Sequence, residues 1–147
     1  MFDYEEYEKE CEAIRATNME LLDVFEKDLT EAGLSVRTIK SHLSNVNFYI
    51  NEYLLREDAH PMEDGVGMTD MFLGDFFIRK CMWSTPANIK TTATSIKKFY
   101  KCMLDHNKIP KKNYDYLCSE IKTCMDQWLA DCAQYNDPDA PNPFFFF

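Results

Sequence analysis

Glycine and proline, the residues that interrupt regular backbone most effectively, are scarce in this chain. It holds four Gly and six Pro, and five of the six prolines stand at the ends of segments with periodic apolar residues. That punctuation leaves long unbroken runs, which suit helices better than many short strands joined by tight turns. Within the runs, apolar side chains recur at helical spacing. Tyr4, Tyr7, Cys11 and Ile14, then Leu22, Phe25 and Leu29 after Asn18, predict one long acidic helix or two, ending near Gly33 as the C′ residue. Ser35 is a suitable N-cap for a second helix with Ile39, Leu43, Val46, Ile50 and Tyr53 inward. Residues 57–67, with His60-Pro61 and Gly65-Val66-Gly67, predict a loop.

Thr69 is the expected cap of a short third helix burying Phe72, Leu73, Phe76 and Phe77. Thr85 before Pro86 forms an N-cap and N1 pair opening a fourth, with Ile89, Ala93, Ile96, Tyr100 and Met103 inward and an end by 107–110. Asn113 is the expected cap of a fifth, carrying Leu117, Ile121, Cys124 and Trp128 on one face. The second and fourth helices echo each other: Ile39 aligns with Ile89, Lys40 with Lys90, and Val46 with Ile96.

An apolar content of 46%, with 14% aromatic, excludes a disordered chain. At this length folding removes roughly 70% of the unfolded surface from water. The acidic opening Met1-Phe2-Asp3-Tyr4-Glu5-Glu6 lacks the basic-then-apolar pattern of a secretory signal. No apolar run approaches the ~20 residues of a membrane span. A cytoplasmic, reducing setting is therefore expected, with the six Cys acting as small buried hydrophobes rather than as disulfide partners.

The formal net charge is −9, yet residues 85–112 carry seven of the sixteen Lys/Arg against a single acid. Screening over ~8 Å makes such a local cluster matter more than the total. On the fourth helix Lys90, Thr94, Lys97 and Lys101 form a stripe, with Thr91 and Lys98 beside it. The second helix presents Lys40, Ser44, Asn47 and Asn51, with Arg37 and Ser41 near its start. Cations of this reach pair with phosphates, and hydroxyl or amide groups touch phosphate oxygens or base edges. The other reading is a solvated face. Lys108, Lys111 and Lys112 extend the basic surface. Phe48 falls on the polar side of the second helix and either packs on a neighbouring segment or makes contacts of its own.

The run Leu29-x3-Gly33-Leu34-Ser35-x2-Thr38-Ile39-x3-Leu43 resembles the opening of the core-binding domain of tyrosine recombinases, the phage integrase family. Met68-Thr69-Asp70, Phe72-Leu73, Asn88-Ile89 and Ile96-x2-Phe99-Tyr100 resemble its second half in order and spacing, so the likeness spans roughly residues 18–110. The resemblance implies an all-α, orthogonal SAM-like bundle of four to five helices over residues 1–136, with an acidic N-terminal helical extension and a Pro/Phe-rich tail at 137–147. It also implies a clamp half around duplex DNA, association with DNA integration and recombination, and a mobile-element setting. Arg37, Lys40, Ser41, Ser44, Lys90, Thr91, Thr94, Lys97, Lys98 and Lys101 are then the expected DNA-contacting residues.

The recombination chemistry of that family uses an Arg–Lys–His–Arg–His–Tyr set, and none of His42, His60 or His106 begins a His-x-x-Arg. The expectation is a binding module without catalysis. Cys118, Cys124 and Cys132 lack the paired spacing of zinc ligands, so neither metal nor cofactor is expected. The alternative function is a regulatory or protein-interaction module. It would engage a second copy or a recombinase partner through the acidic helices and Phe144–Phe147, with little DNA affinity. For that aromatic run three readings stand open: packing back on the domain, binding another chain, or the scar of a truncated frame.

Overall fold

The computed structural model describes residues 2–139 and is all-helical, with no strand among them. The first expected region is a single helix, α1 (Tyr4–Glu31), unbroken because no Gly or Pro interrupts it. Asp3 caps it by accepting from the amides of Glu5 and Glu6. It ends as the sequence predicts: Gly33 takes φ 83°, a conformation that costs a side-chain-bearing residue, and the Leu34 amide returns to the Leu29 carbonyl.

Helix α2 (Val36–Asn47) opens on Ser35, whose Oγ accepts from the Thr38 amide, and passes into a π-helical segment, Phe48–Tyr53. Helix α3 comprises Thr69–Met71, a second π segment at Phe72–Phe76, and Phe77–Lys80. The two π segments face each other. Tyr49 and Tyr53 each lie with ring centroids 4.8 Å from Phe72, and Tyr53 is 5.0 Å from Phe76. The wider turn of a π segment shifts the side-chain register, and here it coincides with an aromatic contact rich in favourable tilted pairs. Helices α4 (Pro86–Asp105) and α5 (Lys111–Asn136) complete the bundle. Thr85 caps α4 through the Asn88 amide, with Pro86 at N1, as expected.

One continuous core takes residues from all five helices: Phe25 of α1, Val46 of α2, Leu73 of α3, Ile96 of α4 and Leu117 of α5 among them. The predicted stripes are inward, with Tyr7, Ile14, Leu22, Leu43, Phe76 and Cys124 half-buried at their margins; Tyr4, at the start of α1, is exposed. All six cysteines are unbridged; Cys11, Cys81, Cys102 and Cys132 are buried, and Cys118 and Cys124 half-buried.

Three local expectations need correction. The predicted loop contains a 3₁₀ segment, Met62–Gly67, that belongs to the core. The Tyr49 hydroxyl donates to the Gly65 carbonyl and the Tyr100 hydroxyl to the Met62 carbonyl, each at 2.6 Å and each buried. A Cβ at Gly65 would run into Tyr100, Leu54 and Tyr49, so glycine is required there for space. Thr69 is not a cap but the first residue of α3. Its hydroxyl donates to Glu120 Oε1 of α5, which also accepts from the Asp70 amide, so a neighbouring helix supplies the capping carboxylate. Asn113 likewise lies inside α5, whose first turn is closed by amides of Asn113 and Tyr114 on the Pro110 carbonyl. The aromatic run Phe144–Phe147 lies outside the described residues.

Removing one tyrosine hydroxyl leaves a buried carbonyl without its partner, a loss of about 1–3 kcal/mol. Tyr100→Phe should therefore lower the free energy of unfolding by that amount, moving the urea midpoint down with an unchanged slope. Tyr4→Phe, at an exposed site, should leave the midpoint in place.

Candidate nucleic-acid interface

α2 and α4 lie side by side, joined by a polar contact that periodicity did not reveal. Ser95, fully buried on α4, meets His42 Nδ1 at 2.7 Å and accepts from Asn45 Nδ2 at 3.0 Å. The Ser95 hydroxyl also reaches the Thr91 carbonyl one turn earlier. On α4, Thr91 and Lys98 stand one turn before and after Ser95, hence on the edge nearest α2. On α2, Ser41 adjoins His42 on the corresponding edge.

All ten predicted contact residues, Arg37, Lys40, Ser41, Ser44, Lys90, Thr91, Thr94, Lys97, Lys98 and Lys101, are exposed. The aligned pairs behave alike, with Lys40 and Lys90 outward and Ile39, Ile89, Val46 and Ile96 buried. Thr94, Lys97, Lys98 and Lys101 line one open groove of about 430 Å³ between α4, the end of α1 and Tyr114. Ser44 is separated from them. It lines a second groove with Asn47 and Asn51, facing Asp23 and Glu26 of α1. Asn51 is further engaged by Asn18, a buried residue in mid-α1, which donates to Asn51 Oδ1 at 2.7 Å and to the Ile50 carbonyl. The amide end of the α2 stripe thus serves the α1–α2 joint.

Arg37, Lys40, Lys90, Lys97 and Lys98 form no ion pair among the described residues. Lys101 does: its Nζ is 2.7 Å from Asp105 Oδ1, and Lys111 pairs in the same way with Asp115. Both are exposed pairs one turn apart, weak enough to yield to a stronger anion. Thr91 and Thr94 turn their hydroxyl protons onto carbonyls of their own helix, of Ala87 and Lys90, so toward a ligand they offer acceptor oxygens. Phe48 packs against Phe72, Phe76 and Trp83.

No family model, curated protein or solved structure matches the chain. The chemistry of the site therefore rests on its own geometry. That geometry is a strip of amines and hydroxyl oxygens bordering an open groove, with one acidic lip formed by Asp28 and Asp105. No helix among the described residues is long and apolar enough to cross a membrane.

Two features of this region have no counterpart in the sequence pattern. His42, a polar residue on α2, is buried at the α4 junction. Burial, with Lys98 nearby, lowers its pKa below the ordinary 6.5. The second feature is a cluster at the far end of α4, where Asp28 Oδ2 accepts from the Cys102 thiol at 3.0 Å and lies 2.9 Å from His106 Nε2. Those bonds hold the Asp28 carboxyl below its usual value, the Cys102 contact most of all and His106 next.

The sign of the His42 effect follows from linkage. A histidine neutral in the fold and free to protonate when unfolded makes the unfolded state the better proton binder below about pH 6.5. Its contribution to stability is complete above that value and is lost as pH falls toward the folded pKa. The melting temperature should decline with acidification across this window, and His42→Gln should flatten that part of the profile.

Proposed function

We propose that this chain is a non-catalytic module that binds duplex DNA along the outward face of α4 and the adjoining edge of α2. Its role would be that of a tyrosine recombinase core-binding domain, in DNA integration or recombination. The observation that carries the reading is the free state of the cations. In a chain with 25 acidic residues, Lys90, Lys97 and Lys98 project from one helix with no carboxylate partner among the described residues. Phosphates are the natural counterion for a row of amines on this spacing, and Thr91, Thr94 and Ser41 add shorter polar groups beside them. Contacts of this kind position a duplex without reading its sequence, so affinity should be broad across sequences and sensitive to salt.

Anisotropy titration of a labelled duplex at low salt tests this directly. Affinity should fall with added salt at about 0.9 log units per log unit of salt for each neutralised phosphate. Replacing Lys90, Lys97 and Lys98 by Gln should lower that slope by about 3. Absence of binding at low salt, or a slope unchanged in the triple variant, rejects the reading.

A protein partner is the second reading, and one feature favours it. Between α3 and α4, Met82 is 99% and Trp83 54% exposed, an apolar pair at a turn. Exposed pairs of this size commonly mark contact surfaces. Under this reading Met82→Ser with Trp83→Ser abolishes partner capture and leaves duplex binding unaltered.

A further inference from the structure

Beside the basic strip, and bordering the same groove, three side chains of different ligand chemistry converge where α1 meets the end of α4. Asp28 comes from α1; Cys102 and His106 stand one turn apart on α4 and at its C-cap, so they share a face. Their ligand atoms all lie within 4.8 Å of one another. Asp28 Oδ2 is the common point, 3.0 Å from Cys102 Sγ and 2.9 Å from His106 Nε2. Cys102 is buried, at 5% exposure, whereas the Asp28 and His106 side chains are open to solvent on the rim. The groove holding Asp28 and Cys102 is open, which leaves room for a water as a further ligand. Asp105 lines that groove too, but its carboxylate is engaged by Lys101.

We propose that Asp28, Cys102 and His106 form a binding site for a single zinc ion, with water in the fourth position. One thiolate, one imidazole and one carboxylate make a borderline donor set that zinc accepts and that hard cations such as magnesium or calcium do not favour. Zinc bonds of about 2.0 Å to nitrogen or oxygen and about 2.3 Å to sulfur spread tetrahedral ligand atoms roughly 3.3–3.5 Å apart. The two separations from Asp28 Oδ2 are hydrogen-bonding distances shorter than this, and the Cys102 and His106 ligand atoms lie within 4.8 Å of each other. The rim position of Asp28 and His106 lets both shift to the tetrahedral spacing. On binding, the Cys102 S–H bond breaks, sulfur bonds to the ion, and one proton passes to solvent. The proton that His106 Nε2 directs at Asp28 leaves that nitrogen, and the ring, holding a single proton on Nδ1, presents the Nε2 lone pair.

Bound zinc would clamp α1 to α4.

The test uses the full chain, stripped with chelator and titrated with cobalt and with zinc. The expected result is one ion per chain, a near-ultraviolet thiolate-to-cobalt charge-transfer band, and a melting temperature that rises with zinc. Cys102→Ser should abolish the band. His106→Asn, on the exposed rim where folding is least at risk, should weaken zinc by at least the ~10–100-fold that even an outer partner contributes. Cys124→Ser serves as the control and should bind as the parent does. A titration with no thiolate band, a band that persists in Cys102→Ser, or unchanged zinc affinity in His106→Asn overturns the proposal.

Discussion

The burial of α4 governs the rest of the molecule. Ile89, Thr92, Ala93, Ser95, Ile96, Phe99, Tyr100, Cys102 and Met103 are all inward, covering about half of the helix circumference. The same helix supports three partners. Phe99 meets Phe25 of α1 edge-to-face at 5.5 Å, Ser95 joins His42 and Asn45 of α2, and Tyr100 holds the 3₁₀ segment by the Met62 carbonyl. Large apolar burial on this scale dominates stability, and it also fixes orientation. With so much of the surface committed inward, Lys90, Thr94, Lys97, Lys98 and Lys101 share the outward strip that remains.

Polar side chains join the helices at a few points, and each is satisfied. Asn18 links α1 to α2, Ser95 links α4 to α2, Glu120 caps α3 from α5, and Asp28 ties α1 to α4. Among the described residues no buried side-chain nitrogen or oxygen lacks a partner. Since an unpaired buried polar group costs more than a pair contributes, these joints define one arrangement of the helices against its alternatives. They also use up acidic groups: Asp28 and Glu120 are held by the fold, and Asp105 and Asp115 by lysines at the chain's own basic segment. The amines of Lys90, Lys97 and Lys98 fall outside every such joint.

Much of the fold was legible because it follows from periodicity and caps. Ser35, Gly33 and Thr85-Pro86 mark helix boundaries by local chemistry alone, and the apolar stripes of α2, α4 and α5 point inward as their spacing requires. What escaped was set by partners distant in sequence. Residues 57–67 contain turn-forming dipeptides, and nothing local announces that Tyr49 and Tyr100 reach their carbonyls. Thr69 has the composition of a cap, but Glu120 takes the role from another helix. The exposure of the ten candidate contact residues was readable from the helical wheel. The separation of Ser44 from the lysines was not, because it depends on where α1 lies. Cys102 and His106 did carry a signal, a thiol and an imidazole one turn apart. Its third member, Asp28, is too far away in sequence to be paired with them without the fold.

The central claim is that packing of α4 turns Lys90, Lys97 and Lys98 outward on one strip and that this strip meets phosphate. Carbon-13 methylation of the lysines, followed by NMR titration with an unlabelled duplex at low salt, reads each ammonium group separately. The account predicts that the signals of Lys90, Lys97 and Lys98 move together and saturate at one stoichiometry, while Lys9, Lys27 and Lys122 stay still. Shifts spread evenly over all lysines, or confined to those on α1 and α5, would contradict it.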